Sequence, residues 1–589
     1  MPVYSAPRRD LAFVLFDLFG ADKLWRAMKA TAEVDRDLAE AIIDAGGKLA
    51  ESAFLPLNAS GDAEGCRFDS GTVTTPEGFR DAYRTYSEGG WVGLGGDPEH
   101  GGQGMPKMLT VAVEEMFFAT NPSLYLYPVL SAGAALLIAS HGSQAMKKRW
   151  LPEMYAGTTS GTMCLTEPHA GSDLGLLRTR AEPLDNEYHA LTGTKIFITG
   201  GEHDLADNIV HLVLARLPDA PEGSKGISLF LVPKFLEDGT RNVVTAGSIE
   251  HKMGIRGSAT CVLNFDGARA WMIGEPNRGL ACMFTMMNYE RLSIGMQGLG
   301  AGEIAYQNAL AYARERVQGR APIAEERGEG AADPLLVHPD VRRLLLTQKA
   351  YNEGGRAFSA FVGLQLDLSK YADDENEARR AADLVAFLTP VAKAYFTDRG
   401  FDGCVLAQQV LGGHGYVAEW GIEQYVRDAR IAQIYEGTNG IQAMDLAERK
   451  TARDGGRMAQ AYMEGMAAFI ADQRCPERLR PGLEEALELF SRCTRFIVDG
   501  AKKDPALPGS AAADYLELTG LVSYAWLWAW MVGVAEGKLA EGSDEDAFMR
   551  GKVATGEFFH ARLLPMAATL ARRIESGSEP LLAIRAEQF

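Results

Sequence analysis

The sequence predicts a multidomain α+β protein with an N-terminal helical domain, a central antiparallel β-barrel, a helical-bundle domain and an extra C-terminal helical domain. Three observations carry that prediction. The chain has 589 residues, more than the roughly 250–300 that a single hydrophobic core organises. Its hydrophobic period changes from helical to strand-like and back again. Hydrophobic residues make up 47% and charged residues 23% of the chain, the balance of a packed globular protein rather than a disordered one. The expected boundaries are 1–160, 161–279, 280–455 and 456–589.

In the first domain, Asp10–Phe19, Leu38–Phe54, Pro76–Glu88 and Leu109–Phe118 carry apolar residues at helical spacing, and the glycine-rich Gly93–Gly104 interrupts them. Six short runs rich in β-branched residues follow: His189–Gly193, Lys195–Thr199, Ile209–Ala215, Ile227–Pro233, Val243–Ile249 and Cys261–Phe265. The helical period returns through Leu280–Arg316, Val341–Leu368, Arg379–Leu411 and Gly440–Lys450, and it continues after the Asp454-Gly455-Gly456 break. Ala324–Asp333 and Ala372–Glu377 read as solvated loops. The apolar runs Tyr125–Ala139 and Leu521–Ala535 fall short of the roughly 20 residues a membrane span requires, and read as buried helices.

Lys and Arg number 59 against 78 Asp and Glu, a formal net charge of −19. That balance lacks the basic field on which nonspecific nucleic-acid binding depends. The seven cysteines are scattered and never spaced CxxC, which predicts free thiols, a reducing compartment and no structural zinc. The N-terminus lacks the pattern of a signal peptide, so the expected location is the cytoplasm. No G-x-G-x-x-G follows a strand, and P-loop, HExxH and GxSxG motifs are absent. No metal site is expected.

Several segments carry chemistry instead. Thr166-Glu167-Pro168-His169-Ala170-Gly171-Ser172-Asp173 is a polar turn, and Gly193-Thr194-Lys195-Ile196-Phe197-Ile198-Thr199 is a strand ending in a glycine pair. Further on lie Lys252-Met253-Gly254-Ile255-Arg256-Gly257-Ser258, Glu315-Arg316, Gln409-Val410-Leu411-Gly412-Gly413-His414-Gly415 and Tyr435-Glu436-Gly437-Thr438-Asn439-Gly440-Ile441-Gln442. Taken in order, these segments resemble the acyl-CoA dehydrogenase family. The extended C-terminus resembles the longer subgroup that includes enzymes acting on 3-methylmercaptopropionyl-CoA.

The resemblance implies FAD-dependent oxidation of the Cα–Cβ bond of an acyl-CoA thioester. Removing a thioester α-proton requires a placed base and stabilisation of the developing enolate oxygen. By resemblance, Glu436 is that base, with the β-hydride passing to flavin N5. The backbone N–H of Glu436 and a flavin ribityl hydroxyl would bind the thioester oxygen. A carboxylate at a helix start is also what the macrodipole favours by itself. Glu290, in the triplet Glu290-Arg291-Leu292, is the competing base, because part of the family carries its base there; otherwise it points toward CoA or a surface ion pair.

For the cofactor, the resemblance implies Leu165, Thr166, Gly171, Ser172, Phe197 and Thr199 around the flavin. Arg316 and Gln318 would reach the adenine dinucleotide half across a subunit boundary. Gln409, Gly412 and Gly413 would form a glycine turn that lets backbone approach the pyrophosphate, a plain helix-ending turn being the other reading. Thr438, on the cofactor side, would cap the helix after the base. Phe197 stands where many relatives carry Trp, keeping an apolar wall without the indole N–H. Ser172, Arg291, Tyr435 and Gly437 are the substrate-side residues, with an interior ion pair the other reading of Arg291. Gly295, Gly298 and Gly300 either deepen the acyl pocket or let helices pack closely, and Tyr125 and Tyr127 are candidates to limit it.

An electron-transfer flavoprotein is the expected acceptor. The surplus C-terminal block implies a homodimer, since in longer relatives it covers surface that smaller tetrameric members bury. Neither nucleic acid nor membrane is expected as a partner. The competing readings are a fatty acyl-CoA dehydrogenase or oxidase of β-oxidation, and a flavin-containing nucleic-acid-binding alkylation-response relative. The negative charge, including acidic Glu541–Asp546, disfavours the last.

Overall fold

The computed structural model describes residues 2–184, 187–542 and 545–589, so Ser543 and Asp544 of the acidic stretch lie outside it. Helices dominate the chain to Tyr155, broken by one short hairpin, strands follow to Ile273, and helices resume at Gly279. The chain divides into two compact units. One comprises the N-terminal residues to Ala45, Lys107–Ala119 and Ile294–Phe589; the other comprises Gly46–Pro106 and Thr120–Ser293.

The second of these units holds the sheet. A short hairpin, β1 (Arg67–Asp69) and β2 (Thr72–Thr74), precedes a seven-stranded sheet. Its strands are β3 (Thr159–Cys164), β4 (Arg180–Pro183), β5 (His189–Thr199), β6 (Asn208–Ala215), β7 (Ser228–Pro233), β8 (Val244–Ile249) and β9 (Thr260–Ile273). The order is β3-β6-β7-β9-β5-β4, with β8 also paired to β9. This open path of ladders does not display the closed barrel the sequence predicts. Nor is it wholly antiparallel, because β3 runs parallel to β6.

His189–Gly193 and Lys195–Thr199, read as two runs, form the single strand β5. The register between β5 and β9 slips between Lys195 and Ile198, where Phe197 takes φ +59°. Such a bulge re-aims a side chain, and Phe197 is left 59% exposed. The inner strands β6 and β7 are buried along nearly their whole length, and their Val210, Leu212, Leu229 and Leu231 pack with Leu137, Ile138, Met283 and Met286. Helix Pro122–His141 supplies two of these. It starts where Asn121 accepts the Leu124 N–H (3.0 Å), with Pro at its first turn.

Helices Pro122–His141 and Leu507–Ala540 are longer than their apolar runs suggested, and by length and composition both could cross a membrane. However, 78% and 83% of their apolar windows are buried inside the protein. They are core helices by packing.

In the first unit, Leu507–Ala540 from the C-terminal extension packs on helices Pro339–Tyr371 and Glu375–Leu411. Gly354 lies under Tyr524 and Trp528, Gly520 lies under the Tyr395 ring, and Trp528 Nε1 donates to the Ala350 carbonyl (3.0 Å). The extension thus shares one compact unit with residues 294–455 and with the N-terminal segment. A buried ionic cluster stitches these parts together. Arg356 reaches Asp10 (2.7 Å), Glu115 (2.7 Å) and Glu303 (2.6 Å), and Lys552 of the extension pairs with Asp10 and with Glu353 (2.8 Å).

Gly295, Gly298 and Gly300 serve close packing. A Cβ on Gly298 would strike the Phe396–Thr397 backbone, and one on Gly300 the Glu115–Ala119 segment. The acidic loop Ala324–Asp333 is mostly exposed, but Asp333 is not solvated: it is 1% exposed and accepts the N–H groups of Ala321 (2.7 Å) and Gly328 (2.8 Å).

Candidate active site

The predicted site residues divide between the two units. In the sheet-bearing unit, the turn after β3 and the bulged end of β5 are joined by two independent links. The Ile196 N–H donates to the Thr166 carbonyl (2.9 Å). Beneath it, Lys195 Nζ donates to Glu167 Oε1 (2.8 Å) and to the Leu165 carbonyl (3.0 Å).

Both charges are buried, and Glu167 is satisfied further by the Thr179 hydroxyl (2.6 Å) and the N–H groups of Thr179 (3.0 Å) and Arg178 (2.7 Å). Burial by itself would raise the Glu167 pKa, but Lys195 and these donors outweigh it and hold the carboxyl below its ordinary value. Leu165, Thr166, Gly171, Ser172, Phe197 and Thr199 are thereby carried on one braced pair of segments, all at least partly accessible. A Cβ on Gly171 would meet only the Thr166 methyl, at 3.9 Å.

Glu290 and Arg291 lie on helix Gly279–Glu315, in the part belonging to this unit. Glu290 is fully buried, so the surface ion pair expected as one alternative is ruled out. Its carboxylate occupies the space that a Cβ on Gly133 would fill. Arg291 is 4% exposed, with Nη1 at 3.5 Å from Asn288 Oδ1. Tyr127 is buried, its hydroxyl bonded to the Gly257 carbonyl (3.2 Å) and the Ala259 N–H (2.8 Å).

In the other unit, Arg316, Gln318, Gln409, Gly412 and Gly413 are exposed. A hydrogen bond between the Tyr312 hydroxyl and His414 Nδ1 (2.9 Å) joins the helix end before Arg316 to the turn Gly412–Tyr416. Gly412 has φ +60° and ψ −134°, a conformation open only to glycine. Gly413 has no such constraint, and a Cβ there would meet no atom of this chain within 4 Å. The backbone at Gly171 and Gly413 is therefore bare toward the outside rather than toward the protein. At each position taken by itself, the open backbone fits the close approach of a phosphate-bearing group such as part of FAD.

Tyr435, Glu436, Gly437 and Thr438 form a tight loop before helix Asn439–Met444, and Thr438 Oγ1 caps it by accepting the Ile441 N–H (3.2 Å). Glu436 adopts φ +55°, one of five non-glycine residues with positive φ among those described. A left-handed glutamate is strained and persists only where its surroundings fix it. Here the Tyr435 hydroxyl donates to Gln297 (2.6 Å), Gln442 Nε2 donates to the Glu436 carbonyl (3.0 Å), and Lys393 Nζ donates to the Gly437 carbonyl (2.9 Å). Gln442 lies within a motif that gives it no role, and no motif marks Lys393. The available signal was a lone lysine inside the apolar run Phe387–Phe396.

Comparison with known proteins places the chain in one family. Family models match along the chain in order: acyl-CoA dehydrogenase N-terminal domain at residues 34–158, middle domain at 162–268, C-terminal domain at 277–329 and 327–451, and an acetyl-CoA dehydrogenase C-terminal-like model at 462–585. The chain is 40% identical to 3-methylmercaptopropionyl-CoA dehydrogenase of Ruegeria pomeroyi, over 98% of this chain and 99% of that protein. It is 34% identical to the broad-specificity linear acyl-CoA dehydrogenase FadE5 of Mycobacterium tuberculosis over the full length of both. Among solved structures, an acyl-CoA dehydrogenase complexed with FAD from Bacillus anthracis superposes with a TM-score of 0.74 at 19% identity, covering 93% of this chain and 90% of that one. The chain belongs to the acyl-CoA dehydrogenase family, FAD-dependent oxidoreductases that act on the CH–CH bond of acyl-CoA.

Proposed function

We propose that this enzyme dehydrogenates a short acyl-CoA, 3-methylmercaptopropionyl-CoA foremost, with Glu436 as the base that removes the α-proton. The observation that carries the assignment is the left-handed backbone of Glu436, a strained conformation at the family's base motif. The substrate reading is supported by the 40% identity over nearly the whole chain to an enzyme named for that thioester.

Leu165, Thr166, Thr199, Gly171 and Ser172 would hold the flavin and its pyrophosphate, with Phe197 as the apolar wall. Arg316 and Gln318 would hold the adenine half, and the glycine turn of Gln409, Gly412 and Gly413 would let backbone approach the pyrophosphate. When bound, FAD supplies the acceptor for the hydride leaving Cβ. The chain's own contribution is positioning and proton transfer: Glu436 takes the α-proton, its backbone N–H polarises the thioester oxygen, and Tyr435 and Gly437 flank the acyl group.

Anaerobic titration of the FAD-loaded enzyme tests both claims. A panel of acyl-CoA thioesters should bleach the flavin, with 3-methylmercaptopropionyl-CoA fastest. Glu436→Gln should abolish bleaching, while Glu290→Gln should leave most of it. The reverse pattern would move the base to Glu290.

We further read the β region as a barrel completed without a full ladder, on two links: Ile196 to Thr166 and the isolated bridge between Arg180 and Arg216. The four domains keep the boundaries 1–160, 161–279, 280–455 and 456–589. A cytoplasmic homodimer that passes electrons to an electron-transfer flavoprotein completes the proposal. It is supported by seven free cysteines and by the exposed apolar residues Val405, Tyr416, Val417 and Trp420 beside Gly412.

A further inference from the structure

We infer that Lys393 and Gln442 are positioning residues that clamp the two carbonyls following the base, and so aim the Glu436 carboxylate. The inference rests on Glu436 being the base. A non-glycine residue in the left-handed region is sterically strained, so this loop does not hold its shape through local preference. Two side chains impose it from opposite directions in sequence. Gln442, three residues into the following helix, reaches back to the Glu436 carbonyl (3.0 Å) and touches the Gly437 carbonyl at 3.5 Å. Lys393, from the middle of helix Glu375–Leu411, donates to the Gly437 carbonyl (2.9 Å) and to Asn439 Oδ1 (2.9 Å).

Lys393 and Gln442 are both fully buried. A buried ammonium is costly to retain, and its donors go to the loop itself. The far side of the grip is also fixed. Asn439 Nδ2 donates to Asp398 (2.7 Å) and to the Thr397 hydroxyl (3.0 Å), and Gln433 donates to the same Asp398 oxygen (2.7 Å). Gly437 has no room for a side chain, because a Cβ would lie 2.7 Å from Gln442 Nε2. Removing either donor frees one peptide plane next to Glu436. The carboxylate then samples positions from which it cannot reach the α-proton, while the substrate-side residues outside this loop, Ser172 and Arg291, stay in place.

The test uses FAD-loaded full-length enzyme. In Lys393→Met the rate constant for flavin reduction should fall about a hundredfold, the scale on which a misplaced reacting group acts, with the substrate dissociation constant changed by less than about threefold. Deuterium uptake of the peptide covering 434–442 should rise, a readout independent of turnover. Gln442→Leu should behave likewise, and the double variant should lose little beyond the worse single one, since both act on one loop. Should Lys393→Met not fold, Gln442→Leu carries the test. An unchanged reduction rate, or a slowed rate with unchanged deuterium uptake, overturns the clamp. If Glu436→Gln itself still reduces flavin at the native rate, the base assignment fails instead, and the two failures are told apart.

Discussion

Lys195 Nζ lies 2.8 Å from Glu167 Oε1, a buried ion pair that ties the turn after β3 to the bulged end of β5. Each of those segments is an unremarkable turn or strand by itself. The pair, with the Ile196 to Thr166 hydrogen bond above it, makes them one surface. Lys195→Met should leave the Glu167 carboxylate buried without its counter-ion, a loss of about 3–5 kcal/mol for pairs of this kind. Thermal unfolding and the ratio of flavin to protein after purification measure it, and both should fall.

Gly413 offers a cleaner separation of cofactor binding from folding. Nothing in the chain lies where its Cβ would go. Gly413→Ala should therefore change unfolding free energy by no more than about 0.5 kcal/mol, yet weaken FAD retention when apoprotein is titrated with FAD. Equal FAD affinity in the variant would show that the bare backbone at Gly413 does not face the dinucleotide.

Gly298 is the opposite case, since its missing Cβ space is filled by the Phe396–Thr397 backbone. Gly298→Ala should destabilise the protein by about 1–3 kcal/mol, as overpacking does, without altering the order of preference among acyl-CoA chain lengths. A shifted chain-length preference would instead make this glycine part of the acyl pocket.

The ionic cluster around Arg356 predicts an acid-sensitive join between the N-terminal segment and the C-terminal extension. Burial alone would raise the Asp10 pKa, but Lys552 and Arg356 outweigh it and hold the group at about 2, against 3.8 for an ordinary aspartate. A depressed carboxylate contributes stability that is complete above the unfolded value and lost as pH falls through the folded one. The gap in unfolding free energy between native enzyme and Asp10→Asn should therefore be full above pH 4 and shrink toward pH 2, by about 2 kcal/mol. Glu115 acts with the opposite sign. Burial outweighs Arg356 and raises it to about 7, so its contribution weakens as pH climbs from 4.5 toward that value. Denaturant titrations of Asp10→Asn and of Glu115→Gln across this range check the two signs.

The sequence by itself determined the helix–sheet–helix order, the motif segments and the thiol state, because periodicity, turn residues and cysteine spacing are local properties. Thr438 as a helix cap was legible for the same reason. Gln442 and Lys195 were visible within motifs, but not what they touch. Only the tertiary structure decided that Phe197 sits on a bulge, that β3 pairs parallel with β6 and that Asp333 is buried in an acidic loop. It also decided that Lys393 holds the loop of Glu436 from 43 positions earlier in the chain. Those outcomes depend on which distant groups satisfy a buried carbonyl or carboxylate. Burial makes that satisfaction obligatory, yet nothing in the local sequence names the partner.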